Sequence, residues 1–386
     1  MKSIGEREVT GLIEHFQGLE DPRSHVNRFH LLTDVIVISI CAVLAGADGP
    51  TAIEEWAKTQ VAWLKKHLRL PHGVPSHDTI GRVLSCLRPS AFQSCFAAWL
   101  KSFRLGDVKD TLERRECLAI DGKTLRRSHD RAKNLGPLHL VSVWATQRGI
   151  TLGQLATEQK SNEITAIPQL LDQIDVKGTI VTIDAAGCQK KIAQKILDGG
   201  GDYVLALKGN QETLFQSVQD WILQQMEDDF ANVAHSRVET KEESHGRKEH
   251  RTYIQCALPK GLRGSDGWPG LKTIGVAIRI YEEKGVEKQD VRHFISSLKR
   301  NGKEFAGAVR GHWRIENTLH WSLDMTFRED ESRIRDRNLA DNLAWLRRLA
   351  LTLLKQHPGK QSMAMKRRIA GWNVGFLTQL LMGKEA

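Results

Sequence analysis

Two short segments of the sequence, LAIDGKT at 118–124 and IVTIDAAG at 180–187, share one construction. In each, an apolar β-prone run ends on an aspartate, Asp121 in the first and Asp184 in the second, and small residues follow at once. Loops beyond strand ends are where α/β sheets place ligands. Either segment alone also fits ordinary turn chemistry; the pair says more. If the two strands lie side by side, both carboxylates enter one crevice, where each raises the other's pKa unless a cation separates them. A hard divalent cation with oxygen ligands, Mg²⁺ or Mn²⁺, is the simplest remedy. A third acid is expected on a later helix, in RGHWRIENTLHWSLDMTFRED (310–330). There Glu316, His320 and Asp324 recur at i, i+4 and i+8 and share a helical face about 12 Å long at ~1.5 Å per residue. The plainer reading of that spacing is the polar face of an amphipathic helix. Trp313, Leu319 and Leu323 form an adjacent apolar stripe that would dock it on a sheet.

Positive charge flanks both aspartates. Lys123, Arg126 and Arg127 follow the first, Lys190 and Lys191 the second, and Lys208 with Asn210 and Gln211 lies at another strand exit that could open on the same crevice. Solvated turns also carry such residues.

The elements that must position these groups are legible from periodicity. Up to about residue 112 the chain reads as helical, with a buried helix at Leu31–Leu44, a second helix over Thr51–Leu68 and a third over Phe92–Phe103, separated by DGP and PHGVPSHDT breaks. Strands follow at Cys117–Ile120, Leu138–Thr146 and Thr151–Thr157, then a helix at Glu163–Ile174 and a strand at Gly178–Ile183. A helix near Gln189–Leu197 and a strand at Tyr203–Leu207 continue the alternation, which predicts an α/β mixed sheet with flanking helices. A long helix, Glu212–Met226, and a β-rich stretch running to about residue 300 interrupt it as an insertion, and helices resume at Phe305–Leu323 and Asp341–Gln356.

Composition bounds the rest. The 386 residues are 40% hydrophobic and 26% charged, which excludes collagen-like, disordered and disulfide-scaffold classes. The net charge of +10 suits a polyanionic partner. Residues 331–386 hold eleven Lys or Arg against four Asp or Glu, so +7 of that excess lies behind the proposed helix. Six scattered cysteines form no CxxC or Cys/His cluster, and a reducing cytoplasm is the expected compartment. The most apolar run, 31–46, contains Asp34 and falls short of the roughly 18 apolar residues of a membrane span; the first residues have no apolar signal core. No membrane partner is expected.

The motifs AIDGKTLRRS (119–128), TIDAAGCQ (182–189), YVLALKGNQ (203–211), SHGRKEHR (244–251) and GHWRIENTLHWSLDMTFREDESRIR (311–335) resemble those of the DDE transposases of the ISAs type. That group includes the H-repeat-associated proteins beside Rhs elements. CAVLAGAD (41–48) and PSHDTIGRVLS (75–85) resemble its N-terminal associated domain, so the likeness spans nearly the whole chain. It implies a ribonuclease-H-like catalytic domain over 113–386 with a β-rich insertion at about 228–300, behind an all-helical domain over 1–112. It also implies the metal-binding catalytic triad Asp121, Asp184 and Glu316. In this site type two metal ions clamp an in-line displacement at phosphorus, Asp121 bridging both. Water would free a 3′-hydroxyl at an element end, and that hydroxyl would attack target DNA.

The wider group carries a Y-x2-R-x3-E-x6-K signature around the glutamate, from which this sequence departs: Val309, His312 and Leu323 stand at the Tyr, Arg and Lys positions. Arg310, His312, Arg314 and His320 are then the candidates for holding phosphates. Arg333, Arg335, Arg337, Lys366, Arg367 and Arg368 are expected to add DNA contacts that weaken with salt. A homodimer on DNA is expected. A non-catalytic DNA-binding remnant and a metal-dependent nuclease without strand transfer are the alternatives.

Overall fold

The computed structural model describes residues 12–102, 115–157, 162–244, 247–283 and 285–382. The start of the chain, the expected domain boundary at 112/113 and two residues of the SHGRKEHR motif lie outside them. Nine strands form one sheet in the order β3-β2-β1-β4-β5-β9-β8-β7-β6. β1 (Cys117–Thr124), β2 (His139–Ala145) and β3 (Ile150–Thr157) make an antiparallel meander, and β4 (Ile180–Ile183) then pairs parallel to β1. β5 (Asp202–Leu207) continues parallel to β4. The helices Glu163–Leu171 and Lys190–Asp198 make the crossovers. This is the ribonuclease-H-like mixed sheet.

The insertion extends that sheet. Its strands β6 (His235–Ser244), β7 (Arg247–Ala257), β8 (Thr273–Glu283) and β9 (Val286–Ser296) form an antiparallel run, and β9 joins β5, with Val204 opposite Ser296.

Alternation along β1 explains how the sheet is covered. Leu118 and Ile120 point to the face packed by Ala166, Ile167 and Leu170 of one crossover helix and Ile192 and Ile196 of the other. Cys117 lies on the opposite face, under Phe305, Ala308 and Val309 of the helix Gly302–Arg314. A strand buried on both sides needs an unbroken apolar run, which CLAI supplies.

The helices around the sheet depart from expectation in several places. The segment Thr51–Leu68 is two helices, Pro50–Thr59 and Val61–Leu64, broken at Gln60. The last long helix begins at Arg337 rather than Asp341, because Asp336 caps it by accepting the Leu339 N–H at 2.8 Å. Phe305–Leu323 is not one α-helix: Gly302–Arg314 passes into a π-helical turn, Ile315–His320, and then into Trp321–Met325. π-Turns of this kind concentrate at functional sites.

One apolar core joins both ends of the chain. Leu32–Leu44, buried on almost every side, packs with Ile53, Ile80 and Phe92 and also with Leu346, Leu349 and Leu353 of Arg337–Gln356. Ile315, Leu319 and Leu323 belong to that same core, so the helical ends fix the helix that carries Glu316. Among the described residues, no helix is long and apolar enough to cross a membrane.

Candidate active site

The parallel pairing of β1 with β4 matches Leu118 to Val181 and Ile120 to Ile183, and it stops there. The next residue on each strand is Asp121 and Asp184, so the two carboxylates leave neighbouring strands in register on one face. Their surroundings differ. β4 ends at Ile183, and Asp184 caps the turn Ala185–Gly187, its Oδ1 accepting the N–H groups of Ala186 at 3.1 Å and Gly187 at 3.4 Å. β1 does not end at Asp121 as its sequence implied. It runs on to Thr124, held by β2, and Asp121 lies opposite Ser142. Gly122 is therefore a strand residue in close quarters: a Cβ there would lie 2.3 Å from both Glu163 Oε1 and His139 Nε2. Those two atoms are themselves 2.6 Å apart, and His139 Nδ1 reaches Thr124 Oγ1 at 2.8 Å.

Asp121 reports what converges on it. Burial pushes its carboxyl up to about 7, and the charges of Asp184, Glu316 and Glu163 add to that against a partly compensating Gly122 backbone hydrogen bond. His320 Nδ1 stands 3.7 Å from Asp121 Oδ2. It gives little compensating charge, since burial and the nearby cations Arg348 and Lys123 hold the imidazole down to about 3, hence neutral. Its Nε2 is buried without a hydrogen-bond partner among the described residues.

Asp324 also faces β1, where it takes Lys123 Nζ at 2.7 and 2.8 Å, with Asp330 at 3.0 Å. Lys123 is thus a buried tie between β1 and the segment after the glutamate helix, and not a surface cation. Glu316 is exposed and has no ion pair or side-chain hydrogen bond among the described residues. Beneath this layer, buried Arg348 reaches Glu329 Oε1 at 2.9 Å and Ser142 Oγ at 3.3 Å, bracing the residue opposite Asp121. Glu163, His139 and Arg348 escaped the sequence reading. Two adjacent arginines inside the apolar run LAWLRRLALTLL were the visible signal for Arg348.

The remaining basic candidates separate into two sets. Arg127, Arg333 and Arg335 come together with His129 and Arg131 around one cavity of about 420 Å³. Arg126, Arg314, Lys208 and Arg368 are exposed, with Arg126 Nε 3.2 Å from Asp330. Lys190 is exposed but turns to the Asp266 carbonyl at 2.8 Å. Arg310 pairs with Glu242 of β6. Beside Lys208, Asn210 and Gln211 donate to the Ala185 carbonyl at 2.6 Å and the Cys188 carbonyl at 3.0 Å, tying the β5 exit to the Asp184 turn.

The other set is internal. His312 is buried against Thr182 Oγ1 at 3.2 Å, and burial drives it down to about 4. Lys366 donates to the carbonyls of Leu354 (3.1 Å) and His357 (2.7 Å). Arg367 donates to those of Val43, Thr326 and Ala47 and pairs with Asp48 at 3.0 Å, lying over Phe327. Both satisfy carbonyls at or near helix ends. Trp313 leaves the docking stripe: it lies beside the Arg251 and Arg292 guanidiniums, and Ile315 takes its place in the core.

Residues 113–353 match the Transposase DDE domain, and residues 13–100 match the DDE_Tnp_1-associated domain. The chain belongs to the DDE transposase family. It is 39% identical to the H repeat-associated protein YhhI of Escherichia coli K12, over 97% of this chain and 99% of that one. The inactive transposase YbfQ of the same organism is 38% identical over 20% of this chain and 93% of its own. The solved piggyBac transposase synaptic complex with hairpin DNA aligns over all of this chain and 80% of that one, at a TM-score of 0.40 and 10% identity.

Val309, His312 and Leu323, at the signature positions of the wider family, are all buried here. Divalent ions are general to the family, and the donor chemistry fits them: the acids offer oxygens only, and a hard cation relieves the repulsion that Asp184, Glu316 and Glu163 add to the burial of Asp121. As they stand, no three His, Cys, Asp or Glu among the described residues are drawn together closely enough to hold an ion.

Proposed function

We propose that this protein is a DNA transposase that cleaves strands at the ends of an insertion-sequence-like element and joins them to target DNA, acting in the cytoplasm as a homodimer on its DNA. The observation that carries this is the register of β1 against β4, which sets Asp121 beside Asp184 under the helix bearing Glu316. In this reading residues 1–112 are the associated domain and 113–386 the catalytic domain, with the insertion at about 228–300.

Asp121, Asp184 and Glu316 would hold Mg²⁺ or Mn²⁺, two ions in all. When bound, such ions activate the attacking oxygen and stabilise the leaving one. The chain's own work is positioning. The backbone of the Ala185–Gly187 turn fixes the Asp184 carboxylate, and the meander holds Asp121 rigidly in mid-strand. His320, neutral, leaves the negative charge of Asp121 available. In the first displacement water attacks phosphorus and a 3′-hydroxyl leaves; in the second that hydroxyl attacks a target phosphodiester, forming one bond and releasing a target 3′-hydroxyl. Exposed Arg126, Lys190, Lys208, Arg314 and Arg368 supply DNA contacts, and Arg310 joins them if it leaves Glu242.

A second reading, a DNA-binding remnant without catalysis, draws on the relative named inactive. The test is incubation of the protein and a divalent ion with pre-cut and uncut element ends, in Mg²⁺ and in Mn²⁺. Strand-transfer product supports the proposal, nicking alone indicates a nuclease, and binding alone indicates a remnant.

A further inference from the structure

We propose that Arg127, His129, Arg131, Arg333 and Arg335 form a cradle for backbone phosphates of the DNA strand that passes the acidic crevice. This rests on the reading of the protein as one that acts on DNA. Four arginines and His129, from two segments some two hundred residues apart, line one cavity of about 420 Å³ with no acidic residue among the described residues of its lining. None has an ion-pair partner or a side-chain hydrogen bond among the described residues, whereas the cations Lys123, Arg310, Arg348 and Arg367 all do. Glu331 feels the charge of Arg127 but pairs with Arg328.

Like charges stay together only where the chain is held, and here it is. Leu125, Leu138, Leu140, Ala340 and Ala344 form a separate apolar cluster, against which Ile334 packs. Residues 332–336 have no regular structure, and in an extended run the side chains on either side of Ile334 point away from the surface it buries. Arg333 and Arg335 are accordingly exposed. On the other segment, Ser128 Oγ donates to the Leu125 carbonyl and accepts the Leu138 N–H, both at 2.7 Å, and Asp130 bridges Leu135. Arg337 Nη2 closes the two segments on the Gly136 carbonyl at 2.6 Å.

Guanidinium groups match phosphate oxygens in pairs, and contacts to phosphate position a strand without reading its sequence. Arg127 follows Asp121 by six residues, at most about 20 Å of chain. At ~3.4 Å per nucleotide along a strand, the gripped phosphates lie within about six nucleotides of the scissile one.

The test measures binding of the full chain to duplexes of unrelated sequence between 50 and 200 mM salt. It compares wild type, the triple variant Arg127→Gln, Arg333→Gln, Arg335→Gln and a charge-matched control, Lys177→Gln, Lys272→Gln, Lys360→Gln. Losing three phosphate contacts flattens the salt slope by about 2.7, so over this range wild type loses about 40-fold more affinity than the triple variant. The loss is equal across sequences, and the control keeps the wild-type slope. Arg131→Gln alone should flatten the slope by about 1, which guards against a triple variant that fails to fold. A triple variant with the wild-type slope, or a control that loses as much as the triple, overturns the cradle while leaving the DNA reading intact. Wild-type protein with no salt-dependent DNA binding overturns both.

Discussion

Replacing Asp121 by Asn should make the metal-free protein more stable above neutral pH. The Asp121 carboxyl is raised from an ordinary 3.8 to about 7. That is about three units at ~1.36 kcal/mol each, or about 4 kcal/mol as an upper bound. The sign is that of a raised acid: the folded state holds its proton more tightly, so the contribution is fully present below pH 3.8 and lost as the pH rises through about 7. Asn cannot ionise and escapes that loss. With ~2.1 cal/mol/K of unfolding entropy per residue, the chain gains about 5 °C in Tm at pH 8. Thermal unfolding in a chelator, run on both proteins from pH 4 to 8, should give curves that meet at the acidic end and separate by about that much at the basic end. Mg²⁺ at pH 8 should then raise the wild type more than the variant. A gap that does not change with pH, or a variant less stable than wild type at pH 8, would refute the electrostatic account of the crevice.

Other substitutions probe how the acids are held. Gly122→Ala should destabilise by about 1–3 kcal/mol in denaturant titrations, because the new methyl meets Glu163 and His139, and adding Glu163→Ala should recover part of that. Glu329→Leu should cost about 3–5 kcal/mol by leaving Arg348 buried and unpaired, and the double change with Arg348→Met should cost far less. Asp324→Ala should lower stability through Lys123 yet keep strand cleavage, whereas Glu316→Ala should keep stability and lose cleavage. The opposite pattern would move the third acid to Asp324.

How much of this was visible in the sequence depends on whether the cause is local. The strands around Asp121 and Asp184 were legible because burial on both faces demands continuous apolar runs. The end of β1 was not: Gly122 looks like a turn residue, and only the side chains of Glu163 and His139, from distant elements, reveal why a glycine stands there. The π-turn at Glu316 was hidden for the same kind of reason, since its 3.6-residue pattern is continuous and the packing of Ile315 and Leu319 into a shared core lies outside the segment. Charge counting misled most at the C-terminal end. Arg347, Arg348, Lys366 and Arg367 count toward its positive excess, yet all four are buried, and in Lys366 and Arg367 the charge serves to close carbonyls inside the fold. Arg333 and Arg335, flanking a single buried isoleucine, carry theirs outward.

The central claim is that Asp121, Asp184 and Glu316 perform phosphoryl transfer on DNA. It is tested most directly by strand-transfer product from a pre-cut element end in Mg²⁺ or Mn²⁺, compared between wild type and Asp184→Ala, with DNA binding measured in parallel. The account predicts product from wild type, none from the variant, and similar binding by both. Equal product from the two proteins would contradict it.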